Sequence, residues 1–303
     1  TPSAPYPGRR EMERSPDVAR KPSEHPQTTA FERGSNRPLT PVQKTLPVAP
    51  WLGGKRNLAK RVCAVIEATP HSLYAEPFVG MGGIFLRRSM RPRSEVINDL
   101  GRDIANLFRI LQRHYPQFID CLRFQLTTRA EFERLVDTRP ETLTDLERAA
   151  RFLYLQRTAF GGRVSGRNFG VSPDRPARFN LSTLEPMLED VHARLSSVVI
   201  ECLPYGEFIA RYDRPGALIY LDPPYWGSED DYGKAMFEPG DFARLADQLR
   251  GIKGRFLMSI NDVPEVRELF AGFDLQEVST SYTVGKKSGS RGQRSELLVS
   301  GGG

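Results

Sequence analysis

The stretch ALIYLDPPYWG, residues 217–227, runs an apolar segment of strand type straight into an aspartate, two prolines and two aromatic rings. Two prolines remove two backbone donors and fix two φ angles, so Asp222 to Tyr225 continue neither a ladder nor a helix. The segment is a stiff loop at the carboxyl end of a strand. In open α/β sheets ligands bind at that end, and here it carries an acceptor carboxylate, rigid carbonyls and flat rings. Taken alone, it reads equally well as a strand-ending turn whose Tyr225 and Trp226 cover the sheet.

The surrounding patterns place this loop in a sheet. RNLAKRVCAVIEA (56–68) has helical spacing, SLYAEPF (72–78) and EVIND (95–99) have strand character, and a helix is expected over 101–112. Strand signals return at 198–202, 217–221, 255–260 and 296–300, with helices expected at about 241–250 and 263–271. Such alternation predicts an α/β fold: a mostly parallel sheet with helices on both faces. From 114 to 196 the pattern is helical, with capping-box spacings at Thr144-x-x-Glu147 and Ser182-x-x-Glu185. It reads as an inserted helical subdomain that splits the sheet domain into 47–113 and 197–303. Residues 1–46 are rich in Pro, Ser and Arg and lack periodicity, so they read as a disordered tail. The chain begins at Thr1 with Met12 inside that tail, part of which is read as an upstream extension.

Composition narrows the function. No apolar run approaches the ~20 residues of a membrane span, and the N-terminal region lacks a signal-peptide core, so a cytoplasmic protein with no membrane partner is expected. The three cysteines, Cys63, Cys121 and Cys202, are far apart and outside metal-ligand spacing, and only four His are present. Free thiols and no metal are expected. The net charge of +6 is ordinary in size but unevenly placed. Arg157, Arg163, Arg167, Arg175 and Arg178 stand against a single Asp174, interleaved with four glycines, Phe160 and Phe169. GKKSGSRGQR (285–294) adds Lys286, Lys287, Arg291 and Arg294 with no acid. Two such loops point to phosphate contacts on a nucleic acid; solvated flexible loops are the alternative.

EPFVGMGGIFL (76–86) puts Gly80, Gly82 and Gly83 directly after the first strand, where glycine permits a tight turn and close backbone approach to a ligand. Gly-x-Gly-Gly lacks the third glycine of the dinucleotide fingerprint. Asp99 follows Gly80 by 19 residues, at the end of the next strand, a position that commonly accepts ribose hydroxyls. A nucleoside ligand without pyrophosphate fits this better than NAD, while a purely structural glycine turn remains open. WLGGKR (51–56) is not a phosphate loop: it lacks the upstream glycine, and Arg56 stands where Ser or Thr would hold magnesium.

Together, Trp51-x-Gly53-Gly54-Lys55, Glu76-Pro77-Phe78-x-Gly80-x-Gly82, Asn98-Asp99-Leu100 and Asp222-Pro223-Pro224-Tyr225, in this order, resemble the Dam-like class of DNA adenine methyltransferases. FLMSINDVPEVRELF (256–270) and RSELLVS (294–300) are similar to that family's closing segments, so the resemblance spans about residues 47–300. It implies a Rossmann-like methyltransferase sheet, S-adenosylmethionine as cofactor, and double-stranded DNA with a flipped adenine as substrate. It also implies a bacterial or phage-encoded protein, taken as a monomer by default. Trp51, Lys55, Phe78, Asp99 and Asp222 match cofactor-contacting positions, and Gly80 and Gly82 match the glycine turn. Residues 114–196 match the target-recognition region. LQRTAFGGRVSGRNFGVS (155–172) departs from the pattern of enzymes that recognise GATC, so no target sequence is implied. Arg163 and Arg167, set among glycines, are candidates for base reading. Arg157, Arg175, Arg178, Lys286, Lys287 and Arg291 are candidates for other DNA contacts, Arg175 and Arg178 as phosphate contacts.

The chemistry explains the loop. An adenine amino nitrogen is a poor nucleophile because its lone pair is delocalised into the ring. Asp222 and the Pro223 carbonyl accept its hydrogens and favour a pyramidal nitrogen, and acceptors fixed in advance need little rearrangement in the transition state. Pro224 stiffens the loop and Tyr225 offers a stacking face for an extruded base. No Pro-Cys pair follows a strand, which argues against the covalent cysteine route to carbon methylation. Two rivals remain at this stage: methylation of the exocyclic amine of cytosine, where Ser is more usual in place of Asp222, and a catalytically silent DNA-binding protein.

Overall fold

The computed structural model of the chain describes residues 38–51, 53–162, 164, 166–170, 174, 176–228, 237–281 and 293–303. In chain order the strands are β1 (Thr40–Pro41), β2 (Leu73–Glu76), β3 (Met90–Arg91), β4 (Ser94–Asn98), β5 (Val198–Glu201), β6 (Ala217–Leu221), β7 (Arg255–Asn261), β8 (Asp274–Ser281) and β9 (Gln293–Gly302). The helices are α1 (Ala59–Ala68), α2 (Arg102–Arg113), α3 (Tyr115–Leu122), α4 (Arg129–Asp137), α5 (Asp145–Thr158), α6 (Leu181–Arg194), α7 (Tyr205–Tyr212), α8 (Pro239–Arg250) and α9 (Pro264–Leu269).

All five side chains of ALIYL in β6 are buried because the sheet is covered on both faces, so period-2 alternation persists in space but vanishes from the sequence. Tyr74, Ile97, Tyr220 and Leu257 point into a core shared with Val62 of α1, Leu107 of α2, Leu155 of α5 and Leu188 of α6. Ala75, Val96, Ile219, Leu221 and Met258 point the other way, onto Phe208 of α7, Leu245 of α8 and Val266 of α9. The strand order is β5-β4-β2-β6-β7-β9-β8. The first five are parallel to one another, and β9 runs antiparallel to both β7 and β8. From β2 the chain works outward through β4 to β5, then returns to lay β6 on the other side of β2. That reversal opens a crevice at the carboxyl ends of β2 and β6.

Three features depart from the sequence reading. Order begins before residue 47: Thr40 and Pro41 pair with Arg91 and Met90, and Thr45 and Val48 are buried. The ladder and these buried side chains offset the ordering entropy that composition alone leaves uncompensated. The 114–196 insert is not packed separately. Phe152, Leu155, Leu188 and Val191 belong to the same apolar core as the sheet residues Tyr74 and Ile97. At its second cap, α6 begins at Leu181 with Asn180 accepting from the Ser182 amide at 3.1 Å, so Asn180 takes the role expected of Ser182. The Thr144–Glu147 box forms as expected.

One buried ionic cluster fastens the insert to the sheet. Glu95 of β4 accepts two hydrogen bonds from Arg194, the last residue of α6, at 2.7 and 2.8 Å, and also pairs with Arg88. Arg88 lies 3.6 Å above the Tyr74 ring and Arg194 3.9 Å above Phe85. Burial alone would raise the Glu95 carboxyl, but bonds and charges from Arg194 and Arg88 outweigh it and hold the group below its ordinary value. Glu95→Ala would strand two buried guanidinium groups. It is expected to cost about 3–5 kcal/mol in denaturant unfolding; a loss under about 1 kcal/mol would show the cluster to be dispensable.

Candidate active site

Each flank of the crevice begins with a local sequence rule. After β2, Val79 donates to Asn98 O at 3.0 Å and Gly82 to Val79 O at 2.8 Å, closing a tight turn in which Gly80 and Gly82 have φ of +49° and +76°. A Cβ at Gly80 would lie 2.7 Å from Trp51 Nε1, so the indole rests directly on the turn and no larger residue fits. After β4, Asp99 turns back: its Oδ2 accepts from the Gly80 amide at 2.9 Å and its Oδ1 from the Gly101 amide at 2.8 Å. Asn98 donates to Pro77 O and Leu203 O and accepts from the Leu203 amide, tying the ends of β2, β4 and β5 together. Phe78, Tyr205 and Phe237 pack ring on ring, with centroids 5.6 to 6.0 Å apart, as an apolar wall.

After β6, the Asp222–Trp226 loop is held by four side chains. Lys55, buried in the Gly53-Gly54 turn that leads into α1, places its Nζ 2.8 Å from Asp222 Oδ1 and donates to the Tyr225 hydroxyl at 2.5 Å. Ser259 of β7 donates to Asp222 Oδ1 at 3.1 Å and is itself bonded to Tyr220 at 2.7 Å. Asn261, at the end of β7, accepts from the Trp226 amide and donates to its carbonyl, at 2.9 and 3.1 Å. The Tyr225 hydroxyl donates to Glu296 Oε2 of β9 at 2.5 Å. Lys55, matched by the resemblance to a cofactor-contacting position, therefore holds the Asp222 loop directly.

Trp51, Lys55, Phe78, Gly80, Asp99, Asp222 and Pro224 line one cleft of about 1420 Å³, with Arg157 and Arg178 at its insert side. The structure thus brings together motifs that are far apart in the chain. Four carboxylates line the cleft, those of Glu76, Asp99, Asp103 and Asp222, and burial raises three of them. Burial pushes Asp99 up to about 6 despite its two backbone donors. It pushes Glu76 up to about 8, opposed by the Tyr74 hydroxyl bond at 2.7 Å and by Arg88. Burial also raises Asp222, countered by Lys55 and reinforced by the nearby Glu296 charge.

The insert's arginines are not displayed as expected. Arg157 donates to Val48 O at 2.5 Å and Arg178 O at 3.1 Å, and Arg178 donates to Ala159 O at 3.0 Å. These guanidiniums satisfy carbonyls of the N-terminal segment and of the connection that follows α5. Arg167 is half-buried, donates to Gln156 at 3.3 Å, lies over Phe152, and is held down to about 10 by burial, so it faces α5 in this arrangement. Arg163, Arg175, Lys286, Lys287 and Arg291 lie outside the described residues. Ser259, Asn261 and Glu296 went unrecognised in the sequence. Asn261 and Glu296 sit within the two segments similar to the family's closing ones, which was the available signal.

The comparisons with known proteins agree with this geometry. The family model for the D12 class N6 adenine-specific DNA methyltransferase matches residues 51–284. A type II methyltransferase of Lactococcus lactis subsp. cremoris is 28% identical over 275 residues, covering 84% of this chain and 94% of its own. One from Paramecium bursaria Chlorella virus NC1A is 25% identical over 245 residues, covering 80% and 93%. The DNA N-6-adenine-methyltransferase of Escherichia phage P1 is 27% identical over 277 residues, covering 82% of this chain but 34% of its own. Among solved structures, a precorrin 8w decarboxylase of Methanobacterium thermoautotrophicum aligns with 85% of this chain and 95% of its own, at 13% identity and a TM-score of 0.33, a likeness too weak to bear on the fold. The family match runs from the Trp51 turn past the Asp222 loop and takes in most of the chain, so the protein belongs to the D12 class of N6 adenine-specific DNA methyltransferases.

Proposed function

We propose that the cleft holds S-adenosylmethionine against the Gly80–Gly82 turn, and that a target adenine turned out of duplex DNA presents its amino group to Asp222 and the Pro223 carbonyl. The single observation that carries this reading is the placement of Asp222 and Tyr225, fixed by Lys55, at the strand end that borders the glycine turn.

The residues fit the family's cofactor. Asp99, at the end of β4, is placed to accept ribose hydroxyls, Phe78 offers an apolar face, and the Gly80 turn has no side chain to block approach. Three carboxylates whose ionisation is disfavoured by burial favour a cationic ligand. When bound, S-adenosylmethionine supplies a methyl group on positively charged sulfur.

This chain's own residues then act on the substrate. Asp222 and the Pro223 carbonyl accept the two amino hydrogens, freeing the nitrogen lone pair for attack. As the nitrogen–methyl bond forms and the sulfur–methyl bond breaks, the nitrogen becomes positive and releases one proton to the solvent or to Asp222. Tyr225 stacks on the base, since a paired adenine is out of reach inside the duplex. The connection 159–180 between α5 and α6, beside the cleft, is the proposed seat of target reading, with Arg163 still its candidate base reader.

Two outcomes test the reading. Asp222→Asn keeps the side-chain shape and an acceptor for Lys55, and is expected to lower turnover on DNA by about 10²-fold or more while leaving cofactor affinity and melting temperature near normal. Retention of more than roughly a tenth of normal turnover would remove Asp222 from the role. The second outcome concerns pH. Asp99 and Glu76 ionise near 6 and 8, so a cationic ligand gains affinity as pH rises through that window. Calorimetry is expected to show S-adenosylmethionine binding tightening by up to about tenfold per pH unit for each proton released, and S-adenosylhomocysteine, which lacks the sulfonium charge, responding less. Equal pH dependence for both ligands would contradict the electrostatic fit.

A further inference from the structure

Glu296 has no part in the roles assigned so far, yet it is placed as an active-site group. It stands on β9 with 1% of its surface exposed, and its Oε2 accepts from the Tyr225 hydroxyl at 2.5 Å. Lys55 donates to the same phenolic oxygen, also at 2.5 Å. A phenol held between a donor and an acceptor has both its hydroxyl hydrogen and the far end of its ring fixed. The near end of the loop is fixed separately. Asn261 holds the Trp226 amide and carbonyl, and Asn261 is the β7 residue paired in register with Glu296. One rung of the β7–β9 ladder therefore carries two of the loop's anchors.

A purely structural need does not account for a carboxylate here. Replacing a buried charge by an apolar side chain of similar volume is often neutral or stabilising, and Glu296 directly precedes the buried apolar run Leu297, Leu298 and Val299. What the carboxylate adds is an acceptor aimed at Tyr225.

We infer that Glu296 is a positioning residue of the methyl-transfer site: opposite Lys55, it sets the tilt of the Tyr225 ring on which the target adenine stacks. The inference rests on the reading of Tyr225 as the base platform. Misplacement of a reacting group by about 1 Å costs on the order of 10²-fold, so a ring freed at its hydroxyl end slows transfer without weakening the cofactor site.

The test uses full-length protein, tritiated S-adenosylmethionine and genomic DNA free of adenine methylation. Glu296→Leu and Tyr225→Phe are each expected to lower kcat by about tenfold or more. Cofactor Kd is expected to stay within about twofold, and the double variant to be no slower than the worse single, because both changes cut the same bond. Glu296→Gln, which keeps an acceptor but loses the charge, is expected to fall between wild type and Glu296→Leu, and it carries the test should the leucine variant fail to fold. The inference is overturned if Glu296→Gln and Glu296→Leu keep kcat within about twofold, if the two losses multiply in the double variant, or if cofactor affinity and melting temperature fall in step with kcat. Tyr225→Ala separates this failure from that of the platform itself: normal turnover in Tyr225→Ala overturns both readings, whereas a large loss there with an unaffected Glu296→Leu overturns only the role of Glu296.

Discussion

Burying carboxylates at the ends of three adjacent strands is costly, and Lys55 is the cation that partly offsets it at Asp222. The direct hydrogen bonds given to Glu76 and Asp99 come from neutral donors, the Tyr74 hydroxyl and the Gly80 and Gly101 amides, and their carboxyls remain well above ordinary values even with Arg88 near Glu76. Asp222 alone has an ammonium at 2.8 Å. The Gly53-Gly54 turn exists to bring that ammonium back over the sheet: Gly53 has a φ of +73°, and Gly54 closes the turn onto Trp51 O at 3.1 Å. The same turn seats the indole of Trp51 on Gly80. Cofactor side and substrate side are thus positioned by one short segment.

That segment is in turn held by the insert. Gln156 and Arg157, at the end of α5, donate to Pro50 O and Val48 O, at 2.8 and 2.5 Å. The helix that leads into the target-side connection therefore grips the residues just before Trp51. Because α5 and α6 also share the sheet's core, and Arg194 anchors α6 to Glu95, DNA-side elements and cofactor-side elements form one packed body. Of the arginines that composition marks for DNA, Arg157 and Arg178 also bond carbonyls within that body.

The parts of the site that were legible in the sequence are those where backbone chemistry constrains residue type. Gly80 needs a positive φ, the prolines of the Asp222 loop forbid regular structure, and ALIYL has the unbroken apolar run of a doubly covered strand. The parts that were not legible depend on distant neighbours. Glu296, Ser259 and Asn261 are ordinary polar residues within strands, and only the register of β7 against β9 gives them partners. DLQEVSTS, which forms β8, lacks regular alternation because it pairs on one side only, at the sheet's edge. YGEFIARY does carry helical spacing at Tyr205, Phe208, Ile209 and Tyr212, and that signal went unused. For the arginines, charge was visible but its employment was not, since a donor's partner is decided by which carbonyls the fold leaves unpaired.

The position of β9 has a consequence for how the protein comes to life on the ribosome. It lies between β7 and β8, so the sheet closes only when a later strand threads between two earlier ones. Until that happens β7 presents an open edge, with Met258 and Ile260 flanking unpaired backbone groups, and Tyr225 lacks its acceptor. Such long-range pairing is slow relative to local helix formation. A nascent chain that has already built its glycine turn and its Asp222 loop therefore still lacks the Glu296 acceptor for Tyr225 and carries an edge open to association. Insertion of β9 covers the β7 edge and brings Glu296 to Tyr225 in one step, so closing the sheet and fixing the Asp222 loop are coupled events.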